Sequence, residues 1–219
     1  MLTEVEIKNW NDHWKGKPVQ ELAEWAIVLG RGRAVVTTNF RPYEAVLLHL
    51  LTRIQPDIPV IWVDHGWNRP ATYRHAEDVT RRLKLNLKVY TPTMTVARYQ
   101  ALYGDPPHPD QEEALRQFSQ IFKLEPFQRA MREMAPLVWL TALRRQQNPH
   151  RAGMDAISLD ANTGLLKISP LLEWTDSEMD DYLKKHDLPV EWDYFDPAKG
   201  EEKRECGLHV RWDHAQTGR

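Results

Sequence analysis

Cys206 is the single cysteine in a chain of 219 residues, and it stands within Lys203-Arg204-Glu205-Cys206-Gly207-Leu208-His209. A thiol attacks only as the thiolate, and neighbouring cations favour that form. Lys203 and Arg204 precede the sulfur and His209 follows it. Gly207 lets the backbone turn so that the sulfur is presented to a partner. A free cysteine also commonly fills a small apolar gap. The polar flanks of Cys206 read as a surface sequence. Reactive nucleophile and gap filler both stand at this point.

A nucleophile of this kind needs an electrophile, and three other stretches carry groups that hold anions. The first is Thr37-Thr38-Asn39-Phe40-Arg41, where an apolar run ends in hydroxyl residues before a helix. Hydroxyls, loop amides and the helix N-terminus together would form an anion cradle. An ordinary strand-to-helix turn capped by Asn39 is the plainer reading. The second is Asp64-His65-Gly66, again just past an apolar run. The third is Arg144-Arg145-Gln146-Gln147-Asn148-Pro149-His150-Arg151. Arginine forks match sulfate and phosphate oxygens. A charge run is more often a solvated face, but this one follows directly on a buried apolar run.

These stretches must be positioned by the elements before them. Ala34–Thr38, a β-branched run, and 59–64 read as buried strands, and 85–90 as a third strand. Helices are expected between them, over 43–51 and 70–84, with Pro42 at the first helical position of the former. This β-α-β-α-β order predicts an α/β fold, a Rossmann-like parallel sheet with helices on both faces. Such sheets bind ligands beyond the carboxyl ends of their strands. Residues 92–135 read as helices broken by a proline-rich loop at 103–109, and 137–143 as a fourth strand. A hairpin closed by Asn162-Thr163-Gly164 is expected over 157–170. A helix over 176–186 would be capped by Thr175 or Asp176. Residues 1–33 form two short helices, split at Gly16-Lys17-Pro18, that cap the main domain or join an interface. The expected division is therefore a helical segment 1–33, an α/β domain 34–188 and a tail 189–219 that folds over the carboxyl edge of the sheet.

Composition sets outer bounds. Hydrophobic residues make up 42% and charged residues 27%, as in ordinary globular chains. A net charge of −2 offers no basis for bulk nucleic-acid or membrane binding, so any basic site is local. One cysteine excludes an intrachain disulfide and any zinc or iron–sulfur centre held by several cysteines of one chain. No metal ligand set is expected. The N-terminal residues lack a signal pattern and no apolar run reaches transmembrane length, so a reducing cytoplasm is the expected compartment.

Taken together, these residues resemble the thioredoxin-dependent phosphoadenosine phosphosulfate (PAPS) reductases. The string from Lys203 to His209 matches that family's catalytic signature. Leu143–Gln147 through Arg151-Ala152, Leu85–Tyr90, Phe122-Lys123-Leu124-Glu125-Pro126 and Trp174 with the helix after it are similar to further family stretches. The resemblance implies an adenine nucleotide α-hydrolase type of fold. The phosphate loop would be Thr37, Thr38, Asn39 and Arg41, with Asp64 and Gly66 at the end of the second strand. Arg144, Arg145 and Arg151 would hold sulfate and phosphates. Cys206 would attack the sulfonate sulfur, assisted by Lys203, Arg204 and His209. Thioredoxin or glutaredoxin would then release sulfite, with no iron–sulfur cluster or other bound cofactor, and the protein would be a homodimer. The chain departs from the family at His65, which replaces a threonine, and at Arg41-Pro42, where glycine is usual. The stretch between Trp192-Asp193 and the cysteine motif is also shorter. Two other functions remain open: a relative acting on adenylyl sulfate or another adenine nucleotide, and a non-catalytic nucleotide-binding protein.

Overall fold

The computed structural model describes residues 2–108 and 110–197. Lys203, Arg204, Cys206 and His209 lie outside the described residues. Helices α1 (Glu4–Trp14) and α2 (Val19–Leu29) precede β1 (Ala34–Thr38). Then α3 (Glu44–Ile54), β2 (Pro59–Val63), α4 (Pro70–Leu83) and β3 (Asn86–Tyr90) alternate. Helices α5 (Val96–Tyr103), α6 (Glu112–Ser119) and α7 (Glu125–Met134) lead to β4 (Val138–Leu140), with a π-helical turn, Gln120–Leu124, between α6 and α7. Next come β5 (Ile157–Leu159), β6 (Leu166–Ile168) and α8 (Asp176–Lys185).

Among the described residues the sheet has six strands in the order β3-β2-β1-β4-β6-β5. β1 pairs in parallel with β2 and with β4, so its carboxyl end is flanked by theirs. Successive strand side chains point to opposite faces, and each face has its own core. Val36, Val60, Leu140 and Ile168 pack with α2, α3, α4 and α8. Val35, Ile61 and Trp139 pack with Phe127, Ala130 and Met131 of α7. Burial of β1, β2 and β4 on both faces explains their near-continuous apolar runs, whereas the edge strand β3 is only partly buried.

The sheet is mixed, with β5 antiparallel to β6 across the predicted hairpin. Two expectations need correction. The fourth strand covers three residues instead of 137–143, since the chain turns out at Thr141 toward the arginines. Helix α3 starts at Glu44, not at Pro42, because Tyr43 takes a left-handed conformation (φ 74°) that delays the first helical turn. By contrast Thr175 caps α8 in a reciprocal capping box with Glu178, as a purely local pattern predicts.

The β5 edge of the sheet is partly covered by a side chain. Asn11 of α1 donates to the Ile157 carbonyl at 2.7 Å and accepts from the Ile157 amide at 3.0 Å. Trp139 ties the core to the strand ends: it is fully buried, packs on Phe127, and donates through Nε1 to Thr37 Oγ1 at 2.9 Å. Trp139→Ala should cost about 3–5 kcal/mol, read as a lowered urea midpoint with little change in slope.

Candidate active site

The loops that leave β1, β2 and β4 meet at one edge of the sheet. After β1 the backbone takes positive φ at Phe40 (53°) and again at Tyr43 (74°), which turns its amides inward. These donors converge on one carboxylate oxygen, Glu44 Oε2. It accepts from Thr38 Oγ1 at 2.8 Å, from the Asn39 amide at 2.7 Å and from the Arg41 amide at 3.3 Å. Thr38 Oγ1 in turn accepts from the Phe40 amide at 3.0 Å. The loop is thus built as an anion cradle and holds an anion from its own chain. Asn39 contributes its backbone rather than capping α3, for which no side-chain cap is formed.

After β2, Asp64 Oδ1 accepts from the Gly66 amide, Asn68 Nδ2 and the Tyr73 hydroxyl, each at 2.9 Å. Burial and the bond to Asp64 push the Tyr73 hydroxyl up to about 12. Gly66 is required here: its φ is 77°, and a Cβ would come within 2.8 Å of Val96. His65 is buried, and its Nδ1 accepts from the Trp67 amide at 3.0 Å. Burial, with the Lys123 ammonium nearby, lowers its pKa to about 4, so it is neutral.

After β4 the arginines lie on two short 3₁₀ turns, Arg145–Gln147 and Pro149–Gly153. Arg144 is only 4% exposed. It pairs with Asp176 at 2.7 Å, donates to the Trp174 carbonyl at 3.2 Å and lies over the Tyr43 ring at 5.0 Å. Arg145 pairs with Glu173 at 2.8 Å. Arg151 is buried and donates to Gln147 Oε1, which also accepts from the Arg144 amide. Arg144 and Arg151 therefore share one glutamine, while Arg145 points to a more exposed acid.

Residues 192–196 lie against these same loops. Trp192 meets the Tyr43 ring edge-on at 5.2 Å, and Arg41 lies over Tyr194 at 5.6 Å. Arg69 pairs with Asp193 and lies over Phe195 at 5.3 Å. Lys123, on the π-helical turn, forms a buried ion pair with Asp196. The residue types alone gave Glu44, Lys123, Asp193 and Asp196 no role in the site and Asp176 only that of a candidate helix cap. A lysine inside the apolar run Ile121-Phe122-Lys123-Leu124 was the one local signal, because a buried lysine needs a partner. Among the described residues no group of three or more His, Cys, Asp or Glu could hold a metal, and no helix is long and apolar enough to cross a membrane.

The open α/β sheet, with its loops gathered at the carboxyl edge, has the adenine nucleotide α-hydrolase type of fold. The chain overlays a PAPS reductase from Candida auris, solved as a phosphate complex, with a TM-score of 0.76 and 23% identity over 87% of this chain and 90% of that one. It overlays an NH3-dependent NAD synthetase from Campylobacter jejuni with a TM-score of 0.53 and 10% identity over 83% and 74%. Within this class the chain belongs to the phosphoadenosine phosphosulfate reductase family: residues 33–195 match that domain. Curated relatives named phosphoadenosine 5′-phosphosulfate reductase include those of Synechocystis, 35% identical over 95% of this chain and 92% of the relative, and of Synechococcus, 36% identical over 95% and 97%.

Two outcomes follow from the buried groups. An unfolded imidazole titrates near 6.5 and His65 near 4, so below 6.5 the unfolded state binds the extra proton. Stability should therefore fall as pH drops from 6.5 to 4, by roughly 3 kcal/mol from this group, and level off below. Urea titrations across that window should show a flatter profile for His65→Gln. Lys123→Met or Asp196→Asn breaks the buried ion pair and should cost about 3–5 kcal/mol, with faster hydrogen exchange at 192–196; the double variant Lys123→Met/Asp196→Leu should recover most of the stability.

Proposed function

We propose that this protein reduces 3′-phosphoadenylyl sulfate to sulfite and adenosine 3′,5′-bisphosphate in sulfate assimilation. Membership of the reductase family supports the reaction, and the chain spans nearly the whole length of the relatives it matches. The observation that carries the site assignment is the docking of residues 192–196 on the strand-end loops. It leads the chain toward the Cys206 motif from the same edge that holds Arg144, Arg145 and Arg151.

In this reading the Cys206 thiolate attacks the sulfonate sulfur. An S–S bond forms, the bond from that sulfur to the phosphate oxygen breaks, and adenosine 3′,5′-bisphosphate leaves. The enzyme is left as Cys–S–SO3⁻. A thioredoxin or glutaredoxin dithiol then attacks Cys206 Sγ and displaces sulfite, and its second thiol closes the partner's disulfide. The two electrons come from that dithiol, so one cysteine on this chain suffices. Thiolate and sulfonate are both anionic and approach only among cations. Lys203, Arg204 and His209 serve the sulfur, while Arg41, Arg144, Arg145 and Arg151 serve the nucleotide. Thr37, Thr38, Asn39, Asp64 and Gly66 shape the loops that receive it. A reducing cytoplasm suits such a thiol, and a homodimer is the assembly proposed with this reading.

Incubation with PAPS and no dithiol should add one SO3 to the intact mass, located at Cys206. Cys206→Ser should release no sulfite while still binding adenosine 3′,5′-bisphosphate. Unmodified protein that neither gains the adduct nor releases sulfite on adding thioredoxin would falsify the reading.

A further inference from the structure

The cradle after β1 has the donors of an oxyanion site, yet the hydroxyl and the amides that shape the loop from Thr38 to Arg41 are in use. Thr38 Oγ1, the Asn39 amide and the Arg41 amide all go to Glu44 Oε2. The Phe40 amide goes to Thr38 Oγ1. The Glu44 and Val46 amides at the start of α3 go to the carbonyls of Arg41 and Tyr43, at 3.1 and 3.0 Å. Pro42 has no N–H to offer. A carboxylate that takes three hydrogen bonds on one oxygen is the anion for which this loop is shaped. A phosphate on the same donors would have to break those bonds and sit in contact with a like charge. Tyr43 is further packed between the guanidinium of Arg144 and the ring of Trp192, which holds the start of α3 in place.

We infer that Glu44 is a specificity-determining residue whose carboxylate occupies the cradle after β1 and excludes phosphate and pyrophosphate groups from it. This deepens the proposed function and rests on its reading that an adenine nucleotide binds at this edge. The nucleotide's anionic groups are then held by the arginines after β4 and by Arg41, not by the amides of the β1–α3 loop. Selection follows from charge. A nucleotide that needs a polyphosphate on these amides is rejected, whereas one whose anions reach the arginines is accepted. A purely structural glutamate would also be bonded in this way, so the test must read anion affinity as well as stability.

The full chain and its Glu44→Gln and Glu44→Ala variants are titrated calorimetrically with inorganic pyrophosphate, and separately with adenosine 3′,5′-bisphosphate. Glu44→Gln keeps an oxygen to accept the loop amides and removes the charge. Both variants should bind pyrophosphate at least about tenfold more tightly than the unmodified chain. Variants that lose stability but gain no pyrophosphate affinity mean that Glu44 only staples the loop, and the inference fails. The bisphosphate arm judges the nucleotide reading on its own: no binding to the unmodified chain sinks that reading and leaves the pyrophosphate comparison intact. Should neither variant fold, the unmodified chain decides. A rise in its Tm with millimolar pyrophosphate that persists in Arg145→Ala overturns the inference, and no such rise supports it.

Discussion

Parallel pairing of β1 with β2 on one side and β4 on the other is the constraint from which the rest follows. Parallel strands end at the same edge, so three loops distant in sequence are forced together there. Each loop brings a different kind of group. The first brings amides and hydroxyls, the second a hydrogen-bonded carboxylate beside a neutral imidazole, the third a set of arginines. Two apolar layers hold the strands in register, so the loops need little stability of their own. Arg144 can stay buried because Asp176, Trp174 and Tyr43 surround it.

Charge in this site is largely compensated within the chain. Glu44 fills the first cradle, Asp176 and Glu173 meet two of the arginines, and Asp193 and Asp196 meet Arg69 and Lys123. An anion arriving at an edge with this many internal pairs would have to exchange partners rather than fill an empty field. Exposed acids such as Glu173 and Asp176 are the cheaper ones to exchange, since water can solvate them when they let go. The buried Lys123–Asp196 pair is the costly one, and it belongs to the segment that leads to the cysteine motif.

Much of the architecture could be read locally. The runs at 34–38 and 59–63 declared themselves by apolar, β-branched content, and the start of α8 by a cap at Thr175 or Asp176, which proves to be Thr175. The placement of the arginines just beyond β4 followed from the same reasoning. What could not be read were pairings across sequence distance. Glu44 looked like one more residue of an apolar helix, because nothing local shows that Phe40 and Tyr43 turn left-handed and aim three donors at it. Asp176 looked like a helix-start acid, and only the fold brings Arg144 to it. The proline rule failed at Pro42 for the same reason: tertiary packing of Tyr43 outweighed a local preference.

The Asn11 side chain has one more consequence. With its amide it imitates the hydrogen-bonding pattern of a neighbouring strand and takes up both backbone groups of Ile157. An outermost strand normally invites another chain to add on, and natural proteins blunt such edges. Here the blunting is done by a residue near the start of the chain for a strand in its second half. Solubility of the folded sheet is thereby linked to α1: a chain that had lost this helix would bare the backbone of Ile157 on an outermost strand.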